Sequence, residues 1–526
     1  MTIIKNHRAL FILLFFSFIL HSILALVPPI NGDEATFWEW SRHLALGYYA
    51  HPPMTSWLIA LVTGIFGIFK YSVRLTSILL HLGTIVFVYL IALDILREKK
   101  PALTSALIYA LMPLSIILGT VIATDSNLIL CFTAASYFVK KAIIDEKKNY
   151  WYWAAIACGL MLLTKFMAFL FFPGVFLFLL VNRDYRKQIL QKEPYLAFLL
   201  SFLVFSPHIY WNATHKWLTF QFNFFVRHQD QEFNLINPLT YIAGQMLAAS
   251  PVVFIVLIIA LITIVIRKYR TPAIGGLSQQ SADALLLFTY LTGFPLLFYI
   301  PTSFRSEIGA HWAAFIYPTA SVLVAAFLYL DRGKIQTQVL QKTKTFWACL
   351  ISMALISIPI YIIVVFPRIL PDRMIYTPKV YTKKAPIGSH YFGWEEIGNR
   401  IDELKTEWSK RPEGLFFTSS DYSLASMLGF YTPSHPNFYL MAITDNVVHG
   451  KSYILWARGK KKPGANTIYV SDVPDSFKVD VEPYFKRIQH LEPLVVRESD
   501  GRILRVFYLT VGHHYIGGEP DTISLW

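Results

Sequence analysis

Asp33 and Glu34 stand side by side in Gly32-Asp33-Glu34-Ala35, directly after a long apolar run. The segment that follows is dense in tryptophan and tyrosine and closes on His51-Pro52-Pro53. A carboxylate at the mouth of a membrane span is costly unless it is solvated, paired or useful. These residue types fit a general base held near an acceptor hydroxyl or amine, or a metal ligand. The plain alternative is that Asp33 caps a helix, where Asp is favoured. The two readings are compatible, because a capping carboxylate is also a fixed one. Asp125, in Ala123-Thr124-Asp125-Ser126-Asn127, opens another apolar run and carries the same two readings. Lys165, in Leu163-Thr164-Lys165-Phe166, is a lone cation between apolar runs. It either snorkels to headgroups or supplies positive charge where a phosphate is held and released. His51, Arg305, Glu307 and His311 also fall at the ends of apolar runs, and for Arg305 the plain alternative is headgroup contact. His208, His215 and His228 lack zinc-motif spacing and are left unassigned.

The elements that must position these residues are membrane spans. The chain has 526 residues, 55% hydrophobic and only 15% charged, and several runs reach the length a bilayer needs. Spans are expected near 9–29, 72–96, 101–122, 126–141, 150–164, 167–182, 194–211, 238–266, 283–301, 311–330 and 345–366. The first is read as a retained span rather than a cleaved leader. The net charge of +14 is not a nucleic-acid signal. Its basic residues, among them Arg97, Lys99, Lys100, Lys140, Lys141, Arg183, Arg186, Lys187, Arg267 and Lys268, cluster in short loops, as the positive-inside rule describes. If those loops are cytoplasmic, the N-terminus is cytoplasmic and residues beyond 367 lie outside. The loop 31–71, Asp125, Lys165, Arg305 and His311 then share that outer side. Within 31–71, Glu34 to Leu46 reads as an interfacial helix bearing Trp38 and Trp40, and Met54 to Phe69 as a second helix at the surface.

Long apolar runs stop after 366. Ile397, Ile401, Leu404 and Trp408 have helical spacing, and Leu415–Thr418, Thr467–Val470 and Ile503–Leu509 read as strands. The expected fold is therefore a mostly α polytopic bundle over 1–366 followed by a small α/β domain over 367–526. Cys131, Cys158 and Cys349 lie in or beside apolar runs and read as small buried hydrophobes. No glycine loop for cradling phosphates and no nucleotide fingerprint is present, so no nucleotide cofactor is expected.

The run Asp33-Glu34-Ala35, Trp38, Ser41, Leu44, Gly47-Tyr48-Tyr49 and His51-Pro52-Pro53 resembles the bacterial branch of the protein O-mannosyltransferase and aminoarabinose lipid A transferase superfamily. Thr124-Asp125, Leu163-Thr164-Lys165, Trp211-Asn212 and His311-Trp312-Ala313-Ala314 resemble its later short blocks. Phe392-Gly393-Trp394-Glu395-Glu396 and Asp421-Tyr422-Ser423 extend the likeness into the tail. The resemblance implies a GT-C bundle in a bacterial inner membrane. It implies transfer of a sugar from a polyprenyl-phosphate carrier to a lipid A or other envelope acceptor on the outer face, with inversion. It makes Asp33 the base or acceptor-orienting carboxylate with Glu34 beside it, and Asp125 the second acid. Lys165 and His51 become donor-phosphate contacts, and Arg305 and His311 are carried with them as substrate-binding candidates. Ala50 stands where many relatives carry an acid, so a divalent metal stays open.

The competing class is a transporter or flippase, for which ionisable groups near spans are also expected. That reading predicts charges near the midplane and an internal repeat. Here the charges gather at span ends, and no repeat is visible.

Overall fold

The computed structural model describes residues 7–228, 232–270, 277–329, 336–376, 386–441, 450–457, 460–474 and 481–518. In chain order the main helices are α1 (Arg8–Leu26), α2 (Gly32–Arg42), α3 (Met54–Phe66), α4 (Lys70–Leu96), α5 (Lys99–Leu111), α6 (Pro113–Thr120), α7 (Thr124–Ile143), α8 (Tyr150–Leu162), α9 (Phe171–Val181), α10 (Lys192–Thr214), α11 (Leu218–Phe224), α12 (Ile236–Ala249), α13 (Pro251–Arg270), α14 (Gln279–Ser303), α15 (Tyr317–Tyr329), α16 (Gln336–Val365), α17 (Trp394–Trp408), α18 (Tyr422–Tyr431) and α19 (Lys451–Ala457). They separate into two compact units. Unit 1 comprises Met1–Leu26 and His51–Tyr361, and unit 2 comprises Val27–Ala50 and Ile362–Trp526.

A helix stands at each of the eleven expected spans. Among the described residues, seven are long and apolar enough to cross a bilayer, or nine if two bent pairs each count as one. The chain is a multi-pass membrane protein. The differences from expectation have local causes. The stretch expected as one span over 238–266 is two helices, because Ser250 adopts φ +85 and Pro251 opens the next helix. Proline is preorganised for a first helical position and cannot continue the preceding ladder. The 101–122 span bends by 68° between α5 and α6, again where a proline, Pro113, starts the second piece. α7 is long enough to cross, but Asp125, Lys140 and Lys141 sit within it, and α8 has only 13 residues. Burial separates inner from outer spans. The Ala310–Tyr329 span is 89% buried, whereas the Gln341–Val365 span is 17% buried and turns most of its surface outward.

Unit 2 is built on a six-stranded sheet. Its strands are β1 (Leu415–Ser419), β2 (Phe438–Leu440), β3 (Asn466–Ser471), β4 (Phe485–His490), β5 (Leu494–Arg497) and β6 (Ile503–Tyr515). The order is β2-β1-β3-β6-β4, with β5 also paired to β6. β1 runs parallel to β2 and β3, with Phe417 opposite both Phe438 and Ile468. β6 is antiparallel to its neighbours, with Ile468 opposite Val511. The alternation expected of α17 holds, as Ile397, Ile401, Leu404 and Trp408 are all buried.

Helix α2 packs inside unit 2, against α18. Thr36 Oγ1 lies 3.1 Å from Ser426 Oγ, and the Ile30 amide donates to the Tyr431 hydroxyl at 3.0 Å. A Cβ on Gly32 would fall 1.7 Å from Ser423 Oγ, so this approach requires glycine. Trp38 meets Phe430 edge-on at 5.0 Å, and Trp40 stacks on Tyr48 at 4.5 Å. Both tryptophans are fully buried. They are packing residues rather than an exposed aromatic belt.

Candidate functional site

In unit 1, three chain segments are tied into one neighbourhood. The amide of Met54, just after His51-Pro52-Pro53, donates to the Leu163 carbonyl at 3.1 Å. Asn127 Nδ2, in the first turns of α7, donates to Thr55 Oγ1 of α3 at 2.7 Å. These two bonds bring the start of α3, the start of α7 and the turn holding Lys165 together. At their junction Lys165 Nζ donates to both Asp125 oxygens, at 2.9 and 3.0 Å. Both residues are buried, with relative exposures of 6% and 3%. Lys165 is therefore not a snorkelling cation. Asp125 is not the cap of α7 either, because Ala123 holds that position. Asp125 sits one residue into the first turn, where the helix dipole favours an anion. His51 is buried beside this junction and has interactions of its own.

Arg227 joins this group, and nothing in the local sequence singled it out. It lies in the short 3₁₀ turn Val226–His228, within electrostatic reach of Asp125. Its guanidinium carbon sits 4.4 Å above the Trp312 ring. Burial lowers the Arg227 pKa, and the Asp125 charge opposes that shift. The Tyr299 hydroxyl donates to the Trp312 carbonyl at 3.2 Å, and Gln245 Nε2 donates to the Ala310 carbonyl at 3.1 Å. Those bonds fix the 3₁₀ turn Ala310–Ile316 that carries Trp312 and, beside it, His311. Arg305 and His311 are both exposed. Among the described residues no ion pair joins Arg305 to Asp125.

With Asp125 negative and Lys165 and Arg227 positive, the cluster carries one net positive charge. An ammonium has three N–H donors, and Asp125 takes two of them. This arrangement can hold a monoanion and stabilises further negative charge appearing on it.

In unit 2, the acidic pair divides its labour. Asn31, not Asp33, caps α2. Asn31 Oδ1 accepts from the Glu34 amide at 2.9 Å, and Glu34 Oε2 accepts from the Asn31 amide at 3.0 Å. This reciprocal capping box gives fully buried Glu34 a structural role. Asp33 is exposed in the same first turn. It lies within electrostatic reach of Tyr422, the first residue of α18. The Tyr422 pKa is pushed up to about 12 by burial, with smaller contributions from Asp33 and Asp421. Asp421 caps α18 at the carboxyl end of β1, accepting from the Ser423 and Leu424 amides at 2.9 and 3.0 Å. Burial, reinforced by Asp472, raises the Asp421 carboxyl above its usual range. Among the described residues, no group of three or more His, Cys, Asp or Glu is placed to hold a metal ion.

Comparison with known proteins follows this geometry. A family model described as dolichyl-phosphate-mannose-protein mannosyltransferase matches residues 50–211. That range holds His51, Asp125 and Lys165. The chain is 25% identical over 305 residues to the lipid A galacturonosyltransferase RgtD of Rhizobium johnstonii, covering 57% of this chain and 61% of that protein. It is 27% identical over 219 residues to undecaprenyl phosphate-alpha-4-amino-4-deoxy-L-arabinose arabinosyl transferase 2 of Proteus mirabilis, covering 38% of each. The chain thus spans less than two thirds of the length of these curated relatives. The crystal structure of ArnT from Cupriavidus metallidurans in the apo state superposes with a TM-score of 0.62 at 14% identity, over 95% of this chain and 97% of that one. The same protein bound to undecaprenyl phosphate gives 0.61 at 13% identity over the same shares. The chain has the GT-C fold, and its residues 50–211 match the dolichyl-phosphate-mannose-protein mannosyltransferase family model.

Proposed function

We propose that this protein is an integral membrane glycosyltransferase that moves a sugar from a polyprenyl-phosphate carrier to an envelope glycolipid such as lipid A. The observation that carries the reading is the buried, bidentate Asp125–Lys165 pair with Arg227 beside it. A sugar–phosphodiester donor brings one negative charge to a cluster with one net positive charge. As the glycosidic bond breaks, negative charge grows on the leaving phosphate. Fixed cations then bind the transition state more strongly than the ground state, which is the condition for catalysis. Two relatives described above, a lipid A galacturonosyltransferase and an arabinosyl transferase, support the same class.

In this reading Lys165 and Arg227 hold the donor phosphate, with His51, Arg305 and His311 as further substrate contacts. Asp125 holds the Lys165 ammonium in place. Asp33 takes or orients the acceptor proton, and the sugar is transferred by single displacement with inversion. Glu34 serves Asp33 by fixing the helix turn that carries it. The reaction is placed on the extracytoplasmic face of a bacterial inner membrane, with a cytoplasmic N-terminus. Residues 1–366 are read as the membrane domain and 367–526 as the outer α/β domain, with residues 27–50 packed into the latter. The test is mass spectrometry of envelope glycolipids from cells with and without the gene. One glycolipid should lose the mass of a single sugar when the gene is deleted. An unchanged glycolipid profile together with accumulation of a transported solute would favour a transporter and overturn the proposal.

A further inference from the structure

Unit 1 contains an apolar cavity of about 500 Å³ that takes no part in the cluster described above. It lies between α7, α8, α9 and α10, and its inner wall includes Ala155, Cys158, Phe171 and Leu179. Its wall residue on α7 is Val139. At 1.5 Å per residue, Val139 is about 21 Å further along the helix than Asp125. The cavity therefore belongs to the other end of α7.

That end carries the marks of a membrane surface. Tyr150, Trp151, Tyr152 and Trp153 open α8, and Trp151 and Tyr195 line the cavity. Such rings favour the headgroup level. Two further wall residues, Ile189 and Pro194, each follow a lysine by two positions. Those lysines, Lys187 and Lys192, are exposed, as are Arg183 and Arg186 close by. Lys148 is paired to Glu193 at 3.0 Å, so the acid beside Lys192 is already engaged, and Asp184 stands among Arg183, Arg186 and Lys187, outnumbered by their charges. The result is a greasy slot beneath a cationic edge.

We propose that this cavity seats an acyl chain of an anionic phospholipid, with its headgroup phosphate against Lys187 and Lys192. A zwitterionic lipid would bring its own ammonium to the same cationic edge and gain less. The site is separate from the donor cluster and does not depend on the proposed transfer reaction.

The test is native mass spectrometry of the full-length protein, released from detergent containing equal amounts of phosphatidylglycerol and phosphatidylethanolamine. The wild type should retain phosphatidylglycerol selectively. Replacing Lys187 and Lys192 with Gln should cut that selectivity by about fivefold for each charge removed. Ala155→Trp should fill the slot and release the bound lipid. The surface lysine variants test the headgroup contact even if the tryptophan variant fails to fold. Equal retention of the two lipids by the wild type would overturn the proposal. So would unchanged selectivity in the double lysine variant, or displacement of the retained lipid by undecaprenyl phosphate alone.

Discussion

Replacing Lys165 with Met removes the charge while keeping a long apolar stem. The Asp125 carboxylate, only 3% exposed, is then left without its bidentate partner. Breaking a buried ion pair from one side costs about 3–5 kcal/mol. Arg227 lies within electrostatic reach of Asp125 and compensates in part, which places the loss near the lower bound, at about 3 kcal/mol. Removing both charges, in Asp125→Asn with Lys165→Met, leaves a neutral amide beside a thioether. Replacing a buried pair by neutral groups is often close to neutral, so most of the lost stability should return. Asp125→Asn alone strands the Lys165 ammonium and should also cost about 3 kcal/mol. With a double variant only about 1 kcal/mol below the wild type, the expected coupling is about 5 kcal/mol, above the usual range for contacting residues because each single change leaves a buried charge. Denaturant unfolding of the purified protein in detergent measures all four corners of this cycle. Transfer activity should behave differently. Loss of one preorganised charge at the leaving phosphate should lower kcat/KM about 100-fold or more in the single variant, and the stabilised double variant should not recover it. A double variant as unstable as Lys165→Met, or one that transfers sugar like the wild type, would refute the reasoning.

Three further outcomes are expected. Arg227→Ala should weaken use of the lipid-phosphate donor, raising KM for the donor more than for the acceptor. Arg227→Lys should recover only part of this, since it loses the planar stack on Trp312. Glu34→Gln should keep transfer near wild type because the amide oxygen can still close the capping box, whereas Glu34→Ala should lower the stability of unit 2 by about 1 kcal/mol and be visible by thermal unfolding. Asp421→Asn preserves the cap of α18 and removes a partly buried charge. Because the folded-state pKa of Asp421 is raised, the wild type gains stability as pH falls through that value. The variant should therefore be the more stable protein at neutral pH, with the difference closing on acidification. A gap that widens toward low pH would contradict the assignment.

Asp125 and Lys165 each stood out in the sequence as isolated charges between apolar runs. Their mutual pairing did not, because it depends on how α3, α7 and the turn after α8 meet, with no local pattern to report it. Arg227 was missed for the same reason. Its only signal is a cation amid the aromatics between Phe220 and Phe233. Apolar runs located every span, but the break at Ser250-Pro251 was hidden inside continuous hydrophobicity. Asn31 and Glu34 form an N-x-x-E pattern that could have displaced Asp33 as the cap. In unit 2 the long buried strands β1, β3 and β6 showed as β-rich runs. β2 has three residues and β5 four, and β4 is largely exposed, with Lys486, Arg487, Gln489 and His490 along it. Such strands lack the apolar alternation that would announce them.

In the proposed mechanism Asp33, an acidic residue of the first loop, serves transfer from a lipid-phosphate donor. The most direct measurement is the rate of sugar transfer from a purified polyprenyl-phosphate donor to extracted envelope glycolipid, comparing the wild type with Asp33→Ala of equal thermal stability. The variant should show no transfer above background. A folded Asp33→Ala protein working at the wild-type rate would contradict it.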